Sequence, residues 1–147
     1  MSLDLRFKLM RIIAVIFALY TVVWGLAPYT SVNLPARFLL DVLDWPIDNT
    51  AMALDQNTKW LSAIGASLLG AVSVFLWGIV APALKRGDTQ VAKMTLLAFI
   101  EWYVVDSAGS IAAGVASNVV FNTAYLVLVL IPLLGMTKNL IEPEKAD

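Results

Sequence analysis

Two carboxylates, Glu101 and Asp106, lie inside a long apolar stretch, and no Lys or Arg of the chain sits at a similar depth in any apolar run. An intramembrane carboxylate without a partner costs several kcal/mol, so each needs hydrogen-bonding neighbours or a bound proton. Five residues separate them, which is about 140° around a helix. They therefore do not form a dyad on one face. The spacing instead predicts that one faces a bundle cavity while the other faces a neighbouring helix or protomer. Candidate partners from other runs are Tyr20, Thr21, Ser67, Ser73, Asn122 and Tyr125.

Asp106 and Glu101 are the candidate catalytic residues, as acids acting on a lipophilic substrate or as a proton relay. Trp102 and Tyr103 stand between them in sequence, and with Asn122 and Tyr125 they are the candidate ligand-binding residues. Rings beside a buried acid can line a pocket, although they also serve as packing and interface anchors. The chain has no His and no Cys, which removes the usual ligands of haem, iron–sulfur clusters and zinc. No cofactor and no metal are expected. A net charge of −1 argues against a nucleic-acid partner.

The elements that must carry these residues follow from composition. Of 147 residues, 60% are hydrophobic and 14% charged, against about 45–50% and about 25% in a soluble domain. The expected fold is all-α, a polytopic membrane protein whose partner is the lipid bilayer. Apolar runs predict spans at about 9–27, 60–84, 94–115 and 119–136, with Asn57 and Thr58 as caps of the second. A turn at Asp106–Ser110 would leave a third span of only about 20 Å, so the break is expected around Ser117-Asn118. Asp106 then falls near the midpoint of the third span, with Glu101 on its cytoplasmic side.

Charge placement tests this parse. Eight of the ten basic residues (Arg6, Lys8, Arg11, Lys85, Arg86, Lys93, Lys138 and Lys145) fall on one side, leaving Arg37 and Lys59 opposite. That asymmetry predicts four spans in an inner membrane with both termini cytoplasmic. Between the first two spans, residues 35–45 read as a short amphipathic interfacial helix. Arg37, Asp41, Asp44 and Asp48 make its wet stripe, and Phe38, Leu39, Leu40, Val42, Leu43 and Trp45 its apolar face.

Rows of small residues predict close helix packing: Ser62/Ala66/Gly70 and Ala63/Ser67/Ala71 in the second span, Ser110/Gly114 with Gly109/Ala113 in the third. The fourth span is bulky all round and is expected to face lipid or another subunit.

Two stretches, DQNTKWLSAIGASLLGA (Asp55–Ala71) and WYVVDSAGSIAAG (Trp102–Gly114), resemble the DoxX-like small bacterial membrane proteins. The resemblance implies a four-helix bundle of bacterial inner membranes and carries over no catalytic residue. Three functional readings stand. The first is a non-enzymatic bundle acting as an oligomer or accessory subunit of a membrane complex, through self-association or other membrane subunits. The second is a membrane-embedded isomerase or cyclase for a lipophilic small molecule. The third is a proton-linked transporter or channel subunit. A sealed apolar pocket beside Asp106 would favour the enzyme, a continuous polar path would favour transport, and neither would favour the scaffold.

Overall fold

The computed structural model describes residues 1–48 and 53–136. It is all-helical: α1 is Leu3–Gly25, α2 Leu34–Leu43, α3 Gln56–Lys85, α4 Thr89–Ala112 and α5 Asn118–Leu133. Lys138 and Lys145, used in the charge argument, lie outside the described residues.

Local chemistry sets these boundaries. Ser2 caps α1 by accepting from the Leu5 amide. The α3 cap is Asp55, not Asn57 or Thr58. Its carboxylate accepts the Thr58 amide at 2.6 Å, and an ionised acceptor serves a helix start better than an amide or hydroxyl. Both α3 and α4 close with the same device. Gly87 and Gly114 take φ of 78° and 85°, while Asp88 N–H returns to Ala83 O and Val115 N–H to Ser110 O. Only a residue without Cβ adopts that left-handed position at little cost. Asp88 then caps α4 through the Val91 amide, so a three-residue turn reverses the chain.

Expected as a plain helix, the second run contains a π turn at Leu76–Val80, where Ala81 N–H reaches Leu76 O. Pro82 follows directly. It lacks an N–H and would press on the carbonyl four residues back, and the wider turn accommodates both defects. The expected turn at Ser117 is found, and α4 runs unbroken through Asp106–Ser110.

α1 is the central element, packing along α3 and against α5, while α4 packs on α5. Three features fasten α1. Ser73 Oγ donates to Ala14 O at 2.8 Å across the α1–α3 seam. Ala66 is buried in that seam, and a Cβ built on Gly70 would stand 3.1 Å from Thr21 Cγ2, so the Ser62/Ala66/Gly70 row is a close-packing face. Buried Arg6 donates from its guanidinium to Pro132 O at 2.6 Å, tying the start of α1 to the end of α5.

The other small rows are not seams. Ser67 and Ala71 are exposed, and a Cβ on Gly109 or Gly114 would meet nothing within 4 Å. Gly114 ends a helix and Ser110 makes hydrogen bonds. Nor is α5 uniform: Val129 and Leu133 are buried whereas Val120 and Val127 face outward.

The amphipathic helix exists where expected, but with its charged edge turned differently. Asp41 is buried and accepts the Asp48 amide, while Phe38 and Trp45 are exposed. The Ser117 hydroxyl donates to Leu43 O, fastening α2 to the α4–α5 turn and holding Asp41 inward.

By length and composition, α1 and α3 are long and apolar enough to cross a membrane, and α5 is a shorter apolar helix. Only 22% of the most apolar window of α1 or α3 is buried within the molecule. Large side chains such as Leu19, Val22, Leu68, Val74 and Val105 point outward.

Candidate functional site

Because α3 leans on α1 and α4 on α5, the bundle leaves a space between α3 and α4. Its volume is about 720 Å³, within the range of roughly 300–1,000 Å³ typical of small-molecule sites. Rings form one wall. Trp24, Tyr20, Tyr125, Phe17, Phe99 and Trp102 follow one another with centroids 5.4–6.2 Å apart. Such tilted and edge-on pairs each contribute about 0.5–1.5 kcal/mol beyond burial, which makes this wall rigid. The α3 wall is mainly aliphatic, with Gly65, Leu69 and Val72 on its surface and Leu61, Leu68 and the Phe75 ring at its exposed edge. The space therefore opens sideways along that edge.

Asp106 closes one end. Its Oδ1 accepts from Ser110 Oγ at 3.1 Å, Asn118 Nδ2 at 3.1 Å and Asn122 Nδ2 at 2.9 Å. Asn118 also donates to Ser110 Oγ, and Asn122 reaches Ser107 Oγ at 3.4 Å. Ser107, Ser110 and Asp106 share one α4 face by their 3- and 4-residue spacing, and Asn118 and Asn122 share one α5 face. The turn at Gly114 sets these faces against each other. Among the described residues no donor is directed at Oδ2. Beyond Asp106 lies a second hollow of about 770 Å³ lined by Asp41, Asp44 and Asp55. Asp106, Asn118, Trp24, Leu40 and Leu43 border both spaces, so the polar cluster is the partition between an apolar chamber and an acidic vestibule.

The candidate residues separate accordingly. Asp106, Trp102, Asn122 and Tyr125 meet at the chamber. Tyr103 does not line it; its hydroxyl pairs with Thr123 Oγ1 at 3.1 Å on the outer side of the α4–α5 seam. Glu101 is exposed and has no hydrogen bond or ion pair among the described residues. Position along the helix is also corrected. α4 begins at Thr89 and ends at Ala112, so Glu101 occupies its middle and Asp106 lies less than about two turns from its end. The midpoint expectation failed because the true helix starts and stops earlier than the apolar run.

Of the partners expected for the acids, only Asn122 bonds Asp106. Ser73, Ser67 and Thr21 donate to Ala14, Ile64 and Phe17 carbonyls instead, and Tyr20 joins the ring wall. Sequence reasoning missed Asn118, Ser110, Phe17 and Phe99. The signal available was the Asn118/Asn122 pair four apart, facing an acid across a short turn.

No family model, curated protein or solved structure matches this chain.

Proposed function

We propose that this chain is a small integral membrane protein that admits one lipophilic molecule from the bilayer and holds its polar end at Asp106. The observation that carries this is the side-opening chamber between α3 and α4, apolar and ring-walled along its length and polar at one end. A hydrocarbon body buried there gains about 25 cal/mol per Å² of apolar surface only if it comes from water. From lipid, selectivity must rest on shape, the rings and the polar end.

The membrane reading is supported by the two long apolar helices, by their outward apolar side chains and by the basic residues gathered where α1 begins and α3 ends. In this reading α1, α3, α4 and α5 cross the membrane as a four-helix bundle, α2 lies at the outer surface, and both termini are cytoplasmic. The DoxX-like resemblance is of a piece with it.

Binding is favoured over acid–base catalysis because Glu101 and Asp106 face different surroundings. It is favoured over ion transport because rings and aliphatics dominate the lining beyond the Asp106 cluster, and Thr95 spends its hydroxyl on Val91 O. The test is chemical: protein purified in mild detergent, extracted with organic solvent and weighed by mass spectrometry should release one lipophile in near-stoichiometric amount. Extracts containing only bulk membrane lipid in membrane proportions would overturn the proposal.

The accessory-subunit reading rests on Glu101. A carboxylate on the outer face of a mid-span turn, flanked by exposed Leu97, Val104 and Val105, calls for a second helix with a donor at that depth. Crosslinks from cysteines at Leu97 or Val104 to another chain would support it.

A further inference from the structure

The Arg11 guanidinium is seated on two aromatic rings: its Cζ lies 4.5 Å from the Phe7 centroid and 4.2 Å from the Trp77 centroid. Phe7 precedes it by four residues, so the side chain runs back along α1 to the level of the helix's second turn. Trp77 comes from the π turn, whose extra residue per turn changes which α3 side chains point at α1. Lys85 reaches the same Phe7 ring, with Nζ 4.9 Å from its centroid.

Seated is not the same as paired. The Arg11 Nε is buried and has no hydrogen-bond partner, and no ion pair or hydrogen bond involves its other donors among the described residues. Among the described residues, the acid that reaches this cluster is Asp4, which is engaged by Lys8 at 2.8 Å and lies 3.9 Å from Lys85. Arg86 and Lys93 add positive charge at the same end, whereas Asp88 is committed to capping α4. Two cations share one ring, and the terminal amino groups of Arg11 have no hydrogen bond or ion pair among the described residues, an arrangement that suits an anion with several acceptor oxygens. A phosphodiester is such an anion and pairs bidentately with a guanidinium.

We propose that Arg11, with Lys85, binds the phosphodiester of an anionic phospholipid, while Phe7 and Trp77 pack against the start of its acyl chains. The rings argue for a lipid source, because a soluble phosphate would leave the exposed face of Trp77 and the half-buried Phe7 without an apolar neighbour. This rests on the membrane reading above, which places the basic end at a bilayer surface.

The experiment uses the full chain in nanodiscs of phosphatidylcholine containing a fixed fraction of brominated phosphatidylglycerol or brominated phosphatidylcholine. The quenching that disappears in Trp77→Phe is assigned to Trp77. Brominated phosphatidylglycerol should quench that component at least twofold more than brominated phosphatidylcholine. Arg11→Gln should bring the ratio to one, and Arg11→Lys should leave it intermediate. A ratio of one in the wild-type chain, or an undiminished ratio in Arg11→Gln, would overturn the site. Loss of the preference on adding millimolar inorganic phosphate would overturn the lipid source. Failure of the wild-type chain to enter nanodiscs would overturn the membrane reading, and this proposal with it.

Discussion

Asn122 Nδ2 lies 2.9 Å from Asp106 Oδ1, the shortest of the hydrogen bonds that join α5 to the Asp106 carboxylate of α4 at the end of the chamber. Asn122 is 3% exposed, so its amide has no water to turn to. With Ser110 and Asn118 it directs three donors at a single oxygen, and the acid is therefore structurally held whatever else it does. Asp106→Asn retains an acceptor at that position, whereas Asp106→Leu removes the acceptor that the Asn118 and Asn122 amides share. We expect Asp106→Leu to lower stability by about 1–3 kcal/mol and Asp106→Asn by clearly less. Thermal unfolding in detergent measures both, and equal losses would deny the cluster its role.

The α1–α3 seam makes a second prediction about two glycines of one helix. Gly70 has Thr21 Cγ2 where its Cβ would meet it at 3.1 Å, while a Cβ on Gly65 meets nothing within 4 Å. Gly70→Leu should push α1 from α3 and destabilise the bundle. Gly65→Ala should be neutral or stabilise by about 0.5–1 kcal/mol, since Ala suits a helix interior better. The melting temperature should fall in Gly70→Leu and hold or rise in Gly65→Ala.

At the start of α3, the Thr58 amide held by the Asp55 carboxylate keeps that carboxyl below its ordinary value, with lesser help from the Thr58 hydroxyl. A depressed folded-state value means the cap stabilises above the unfolded-state value and is lost as pH falls through the folded one. Amides of the first α3 turn should exchange faster with solvent as the solution is acidified through that range. Asp55→Ala should exchange fast throughout, without the acid transition.

Topology gives a fourth prediction. Reporter fusions at Lys85–Asp88 and at the C-terminus should both report the cytoplasm, and a fusion in the α4–α5 turn should report the opposite side. A C-terminus on the outer side would remove the four-span reading.

Much of the helix inventory was legible because apolar runs, Gly87 and Pro35 mark it directly. What escaped lies where tertiary packing overrides local pattern. The stripe of Arg37, Asp41, Asp44 and Asp48 reads as a wet face, yet Asp41 turns inward because Ser117 fastens α2 at Leu43. Ser110 reads as a packing residue and Asn118 as a turn residue, yet both bond Asp106 in the polar cluster. The ring wall joins Phe17, Phe99 and Tyr125 from three helices, and no periodicity within one helix reveals that. Asp106 and Glu101 were expected on different faces from spacing alone, and they are.

If the chamber between α3 and α4 takes a ligand, filling that space with a side chain should exclude the ligand. Trp45, Trp60 and Trp77 replaced by Phe leave Trp24 and Trp102, both on the chamber wall. A bromine-bearing twelve-carbon alcohol titrated into this protein in nanodiscs should quench its fluorescence saturably. Adding Gly65→Phe, whose ring projects into the chamber, should abolish the saturable part without lowering the melting temperature. Saturable quenching that survives Gly65→Phe unchanged would contradict the account.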